Sequence, residues 1–165
     1  MCGIFGITEK NTKLIENIIS KCSHRGPDGS SVWSNNNLTL GHNLLSITSK
    51  PEDGAQPYIT NKKNVLTYNG EIFNYNDLIN KFKNQYLPRT SCDTELLGWL
   101  LDNFSYEEVV CNLLDSMHAF VFFNKERNEI ILSRDHVGIK PLYFSEVKSG
   151  IVFSSEIKGL LDILP

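Results

Sequence analysis

The chain has 165 residues, 41% of them hydrophobic and 21% charged, which suits one globular domain with its own core. A formal net charge of -3 at pH 7 gives no electrostatic reason to expect nucleic acid or an anionic membrane as partner. No apolar run reaches transmembrane length and no basic-plus-apolar leader opens the chain, so a cytoplasmic location is expected.

Residues 3–7, GIFGI, are short and apolar and predict a buried strand that starts almost at the terminus. In TKLIENIISKC, Leu14, Ile15, Ile18, Ile19 and Cys22 recur at helical spacing, and Asn11 or Thr12 can cap the start. SHRGPDGS is dense in turn residues and should stop that helix. VW and NLTLGHNLLSI read as strands, with Leu38, Leu40, His42 and Leu44 on one face of the second. KPEDGAQPY is a loop. NVLTYNG is a strand running into a glycine, and NYNDLINKF is a helix after it. CDTELLGWLLDNF is a second helix with Leu96, Leu97, Leu100 and Leu101 on one side, and SYEEVVCNLLD a third, capped by Ser105. From Ala119 onward AFVFFN, EIILSRD, KPLYFSEV and GIVFSSE read as strands, and EIKGLLD as a short closing helix. Strands near both ends with helices between them predict an α+β fold of two packed sheets with helices outside.

Cys2, Cys22, Cys92 and Cys111 form no CxxC pair, and His24, His42, His118 and His136 show no HExxH spacing. Reduced thiols and no structural metal site are expected. Cys2 stands apart, because removal of Met1 would put a thiol and a free α-amino group on one residue. A free thiol has a pKa of about 8.5 and needs a base, whereas an α-amino group of pKa about 7.7–8.0 is partly neutral at physiological pH. Gly3 behind it permits close approach of a substrate. An acyl-transfer nucleophile also needs oxyanion donors. Asn69-Gly70 can present a side-chain amide and a backbone N–H together, although Asn-Gly is also the commonest hairpin signal. Glu71 and Asp93 are candidates for a cationic group, with an ordinary helix cap as the bland role for Asp93. Arg25 lies in a rigid turn that a solvated surface arginine would equally suit.

The segments MCGIFGI, HRGPDG, GHNLLSI, GAQPY, YNGEIFNY, SCDTELL, RDHVGIKPLYF and FSSEIKGLL stand in one order. That series resembles the class II glutamine amidotransferase domain, most closely the N-terminal half of glutamine-dependent asparagine synthetases, over residues 2–165. The resemblance implies a four-layer αββα sandwich of the N-terminal nucleophile hydrolase type, with two packed, mainly antiparallel sheets. It implies that Cys2 attacks the side-chain amide of glutamine while its own amine shuttles the proton, and that Asn69 and Gly70 form the oxyanion hole. Gly70, Glu71 and Asp93 would hold the amino-acid end of glutamine, with Ile47 also against the substrate. Arg25 would order the loop beside the nucleophile and count among the substrate-binding residues. Neither metal nor cofactor is implied for this step; ATP and magnesium belong to a synthetase half. The partners implied are glutamine and a separate ammonia-accepting synthetase, with a homodimer as a further option.

Two departures stand out. The resemblance expects H-x-R-L-S-I where this chain reads His42-Asn43-Leu44-Leu45-Ser46-Ile47, so Leu44 replaces an arginine that pairs with the α-carboxylate of glutamine. Losing a buried pair of that kind costs about 2–5 kcal/mol, or about thirty- to several-thousand-fold in affinity. Lys50 is the nearest basic residue in sequence. The second departure is the lack of any SGGxDS-type or G-x-x-x-x-G-K-[ST] loop, so a lone ammonia-donating half, a split-gene subunit or a truncated product is expected. Three readings follow: a glutaminase, a non-catalytic binding or regulatory module of the same fold, and an amidohydrolase for an amide without the α-carboxylate.

Overall fold

The computed structural model describes residues 1–47, 50–161 and 163–164. The first sheet has strand order β2 (Gly29–Ser34), β3 (Thr39–Leu44), β1 (Gly3–Ile7), β9 (Gly150–Ser154), β8 (Tyr143–Val147). The second runs β4 (Tyr58–Ile59), β5 (Val65–Ile72), β6 (Ser116–Asn124), β7 (Glu129–Arg134). Neighbouring strands in both sheets pair antiparallel.

Strict alternation along the central strands sorts the core into three interfaces. Ile4 of β1, Phe153 of β9, Val65 of β5 and Ala119, Val121 and Phe123 of β6 pack between the sheets. The opposite face of the first sheet, with Phe5, Ile7 and Val152, buries Ile15, Ile18 and Ile19 of α1 (Thr12–Lys21). The opposite face of the second sheet, with Leu66, Tyr68, Phe120 and Phe122, takes α2 (Tyr75–Phe82) and α3 (Asp93–Asn103). The layers are therefore α, β, β, α, as expected. A slip of one residue in β1 or β5 would exchange the contents of two of these interfaces.

Local chemistry explains the element ends. Asn11 caps α1 by accepting from the Leu14 amide at 3.2 Å. Buried Asn43 closes the other end, donating through Nδ2 to the Ile19 and Cys22 carbonyls at 3.0 and 2.9 Å. Gly41 lets α1 lie directly on β3, since a Cβ there would run into Ile15 and Ile19. Leu96, Leu97, Leu100 and Leu101 are all buried under α3, as their spacing predicts.

Three expectations need correction. SYEEVVCNLLD forms a wider π-helical turn, Glu108–Leu113, although Ser105 Oγ does accept from the Glu108 amide at 3.2 Å. EIKGLLD gives only a 3-10 turn, Ile157–Gly159; Asp162 of that segment and Pro165, the expected domain end, lie outside the described residues. Asn69-Gly70 does not end its strand, because β5 continues through Ile72 in register with β6.

A polar contact crosses between the sheets. His42 on β3 is buried, and its Nε2 lies 3.3 Å from the Tyr68 carbonyl on β5, a bond that places the proton on Nε2. Burial pushes its pKa down to about 4.

Phe153→Ala should destabilise the fold by about 3–5 kcal/mol, because it empties the inter-sheet layer. Leu87→Ala, at a residue 87% exposed, should change stability by less than about 0.5 kcal/mol in the same urea titration. His42 stays neutral when folded down to about pH 4 but takes up a proton near pH 6.5 when unfolded. The unfolded state then binds more protons, so stability should fall as pH drops from about 6.5 to 4, and His42→Asn should flatten that slope in urea midpoints measured across the window.

Candidate active site

At one end of the sandwich, Cys2, the end of β3, the second half of β5 and the N-terminus of α3 surround a cavity of about 290 Å³. Cys2, Asn69, Gly70 and Asp93 line it together, although 91 residues separate the first from the last in sequence. Exposed Glu71 and Ile47, the latter 79% exposed, stand at its rim.

Cys2 directly precedes the central strand β1. Its Sγ accepts from the Leu45 amide at 3.4 Å and lies 3.6 Å from the Leu45 carbonyl. Burial pushes the thiol above its ordinary range, against the lowering effect of the Leu45 contact. The thiol therefore rests protonated and needs a base. With Met1 in place the Cys2 nitrogen is a peptide amide, and the amine belongs to Met1. That amine is held below its ordinary value, first by burial and then by the Arg25 and Lys140 charges, with Cys2 acting in the opposite sense.

Arg25 does not line the cavity, which corrects its expected place among the substrate-binding residues. It is buried behind Cys2, where Nε and Nη2 both donate to the Cys2 carbonyl, at 3.0 and 2.9 Å. Its Nη1 pairs with Glu156 at 3.4 Å, and Glu156 also holds His24 at 2.8 Å. The fork therefore grips the backbone carbonyl of Cys2 rather than the cavity.

Asn69 is buried with its side-chain Nδ2 unbonded to any described protein atom. Thr67 Oγ1 and Tyr86 Oη are also unbonded, but neither residue lines the cavity. A buried amide left without a partner costs about 1–3 kcal/mol, so a donor aimed at a cavity beside a thiol asks for an acceptor from outside the protein. Gly70 follows on β5, where any side chain would run into the Met117 carbonyl and the Tyr68 ring.

Asp93 is the first residue of α3, and the cap position falls to Cys92, which makes no side-chain capping bond. The Asp93 carboxylate accepts from the Tyr68 hydroxyl at 3.1 Å and the Ile72 amide at 3.3 Å. Burial raises its pKa, and these donors hold it down. Buried Glu95 braces the approach to α3 by binding Arg89 Nε at 2.9 Å and the Thr90 hydroxyl at 2.8 Å.

Leu44 lines the cavity, whereas Lys50 is exposed and does not. Among the lining residues that sequence reasoning missed are Tyr68, Gln56 and Lys140. Tyr68 holds Asp93. Gln56 accepts from the Tyr68 amide at 2.6 Å and donates to Thr94 Oγ1 at 3.3 Å. Lys140 comes from the loop after β7. The segments GAQPY, TYNG and KPLYF contained them, but nothing local to those segments points to a shared cavity.

Residues 1–164 match the family model of the glutamine amidotransferase domain. The chain is 34% identical over 174 residues to the glutamine-hydrolysing asparagine synthetase B of Escherichia coli strain K12, covering 99% of this chain and 30% of that protein. It is 37% identical over 171 residues to the glutamine-hydrolysing asparagine synthetase of Zea mays, covering 98% and 28%. The chain spans about a third of the length of the curated relatives it matches. Among solved structures, the glutamine phosphoribosylpyrophosphate amidotransferase of Bacillus subtilis, complexed with ADP and GMP, superposes with a TM-score of 0.78 at 20% identity. That match covers 96% of this chain and 43% of that one, and it is a likeness of fold. The arrangement of strands and helices thus agrees with the sequence comparisons, and the chain belongs to the class II glutamine amidotransferase domain family.

Proposed function

We propose that this domain hydrolyses the side-chain amide of glutamine through a Cys2 thioester and releases ammonia for a separate acceptor enzyme. The observation that carries the reading is the unbonded, buried Asn69 Nδ2 in the cavity that Cys2 lines. Once Met1 is removed, the α-amine of Cys2 takes the thiol proton as Sγ attacks the amide carbon. The negative charge that develops on the amide oxygen is received by Asn69 Nδ2 and the Gly70 N–H. The amine returns the proton to the departing nitrogen, ammonia leaves, and a thioester remains. A water molecule, deprotonated by the same amine, then attacks the thioester, and the collapsing intermediate releases glutamate and regenerates the thiol. This route uses only groups of the chain and water. Asp93, held by Tyr68 and α3, faces the substrate ammonium, with Glu71 at the rim.

Leu44 favours a second reading. An apolar side chain stands where the resemblance expects the carboxylate-binding arginine, which suits an amide that lacks the carboxylate.

Purified protein, with Met1 removal checked by intact mass, should release glutamate from glutamine. Cys2→Ala should abolish release, and Asn69→Ala should lower kcat by about 10²–10³-fold with a smaller change in KM. Glutamate release that persists in Cys2→Ala would overturn the mechanism. Release that is absent in the Met1-free parent, with turnover of a carboxylate-free amide in its place, would establish the second reading. Tyr68→Phe removes a donor that holds the Asp93 pKa down, so a carboxyl-carbon NMR titration should find Asp93 titrating at higher pH in that variant.

A further inference from the structure

Lys140 is only 8% exposed, yet among the described residues the one side-chain partner of its ammonium is the Met1 thioether, with Nζ 3.6 Å from Sδ. Among the described residues no carboxylate lies within ion-pair distance of Nζ. A thioether is a weak acceptor and carries no charge. A buried cation is ordinarily paired, because its desolvation is otherwise uncompensated. Removal of Met1, which the proposed mechanism requires, takes even this partner away and leaves the ammonium facing the cavity.

The backbone holds Lys140 there. The Asp135 carboxylate accepts from the Lys140 amide at 3.0 Å, the Ile139 amide at 2.8 Å and the His118 amide at 3.2 Å. His118 lies on β6 directly opposite Gly70 on β5. One carboxylate therefore ties the Lys140 loop to the strand pair that carries the proposed oxyanion donors. Asp93 lines the same cavity as an acid, and Leu44 contributes no charge. The cavity thus offers a buried cation and a part-buried acid, with Glu71 exposed at the rim, the complement of a zwitterion.

We propose that Lys140 receives the α-carboxylate of an amino-acid amide substrate, supplying the cation that Leu44 lacks while Asp93 faces the ammonium. The proposal rests on the amidotransferase reading of the site, but binding tests it separately from turnover. The experiment compares glutamine with 4-aminobutanamide, the same molecule without its carboxylate, by calorimetry on the Met1-free Cys2→Ala chain. Glutamine should bind at least about 30-fold more tightly than 4-aminobutanamide. In Cys2→Ala/Lys140→Met that preference should shrink to within about threefold, with affinity for 4-aminobutanamide unchanged. Lys140→Arg should keep much of the preference. Lys140→Gln serves as the second neutral variant, and circular dichroism checks that each variant is folded.

A preference for glutamine that survives both neutral variants would overturn the proposal. So would the absence of any preference in Cys2→Ala, a preference for 4-aminobutanamide, or binding of neither amide. Carboxylate preference that depends on Lys140, in a parent that releases no glutamate, would support the proposal and refute the hydrolytic reading.

Discussion

β1 is buried on both faces from its first residue, and that constraint positions everything else in the site. Ile4 fills the layer between the sheets while Phe5 and Ile7 fill the layer under α1. The strand cannot slide or turn over without exposing one set. Cys2, one residue ahead of such a strand, inherits its rigidity. The Arg25 fork on the Cys2 carbonyl restrains it further, because two donors converging on one oxygen set direction as well as distance. Arg25 is itself anchored by Glu156, just after β9, so the backbone of Cys2 is tied to the strand on the other side of β1.

The opposite wall uses the same alternation for another end. On β5, Leu66, Tyr68 and Ile72 face the helices, so Asn69 must face the other way. Its amide enters the space between the sheets at the point where the apolar filling gives out. The strand continues past Asn69-Gly70, and Tyr68 reaches across to Asp93 at the start of α3. A hairpin at Asn-Gly would have broken both relations. His42 links β3 to β5 at Tyr68, so the two walls are joined by a hydrogen bond as well as by packing.

The cavity holds polar groups that folding alone does not satisfy: the Asn69 amide and the Lys140 ammonium, with a part-buried carboxylate at Asp93. Unmet buried donors lower stability, and they persist where they serve a ligand. A high thiol pKa fits the same picture, since a nucleophile that rests protonated depends on a nearby base when substrate arrives.

By itself the sequence determined the elements with strong periodicity and the residues with distinctive chemistry. β1, α1, α3 and the late strands follow from apolar spacing, and Cys2, Asn69, Gly70 and Asp93 stand out through their motifs. These are properties of neighbours in the chain, where spacing of two or about 3.6 residues decides which face a side chain takes. The π-helical turn at Glu108–Leu113 and the short 3-10 turn at Ile157–Gly159 were misread because local pattern does not distinguish helix types whose hydrogen bonding is settled by packing. Only the tertiary structure showed that Arg25 lies behind Cys2 rather than in the cavity, that Lys50 points elsewhere, and that Lys140 lines the site. Those positions depend on which strand ends meet at one edge of a sandwich. Such meetings join residues as far apart as Met1 and Lys140, and no local spacing encodes that contact.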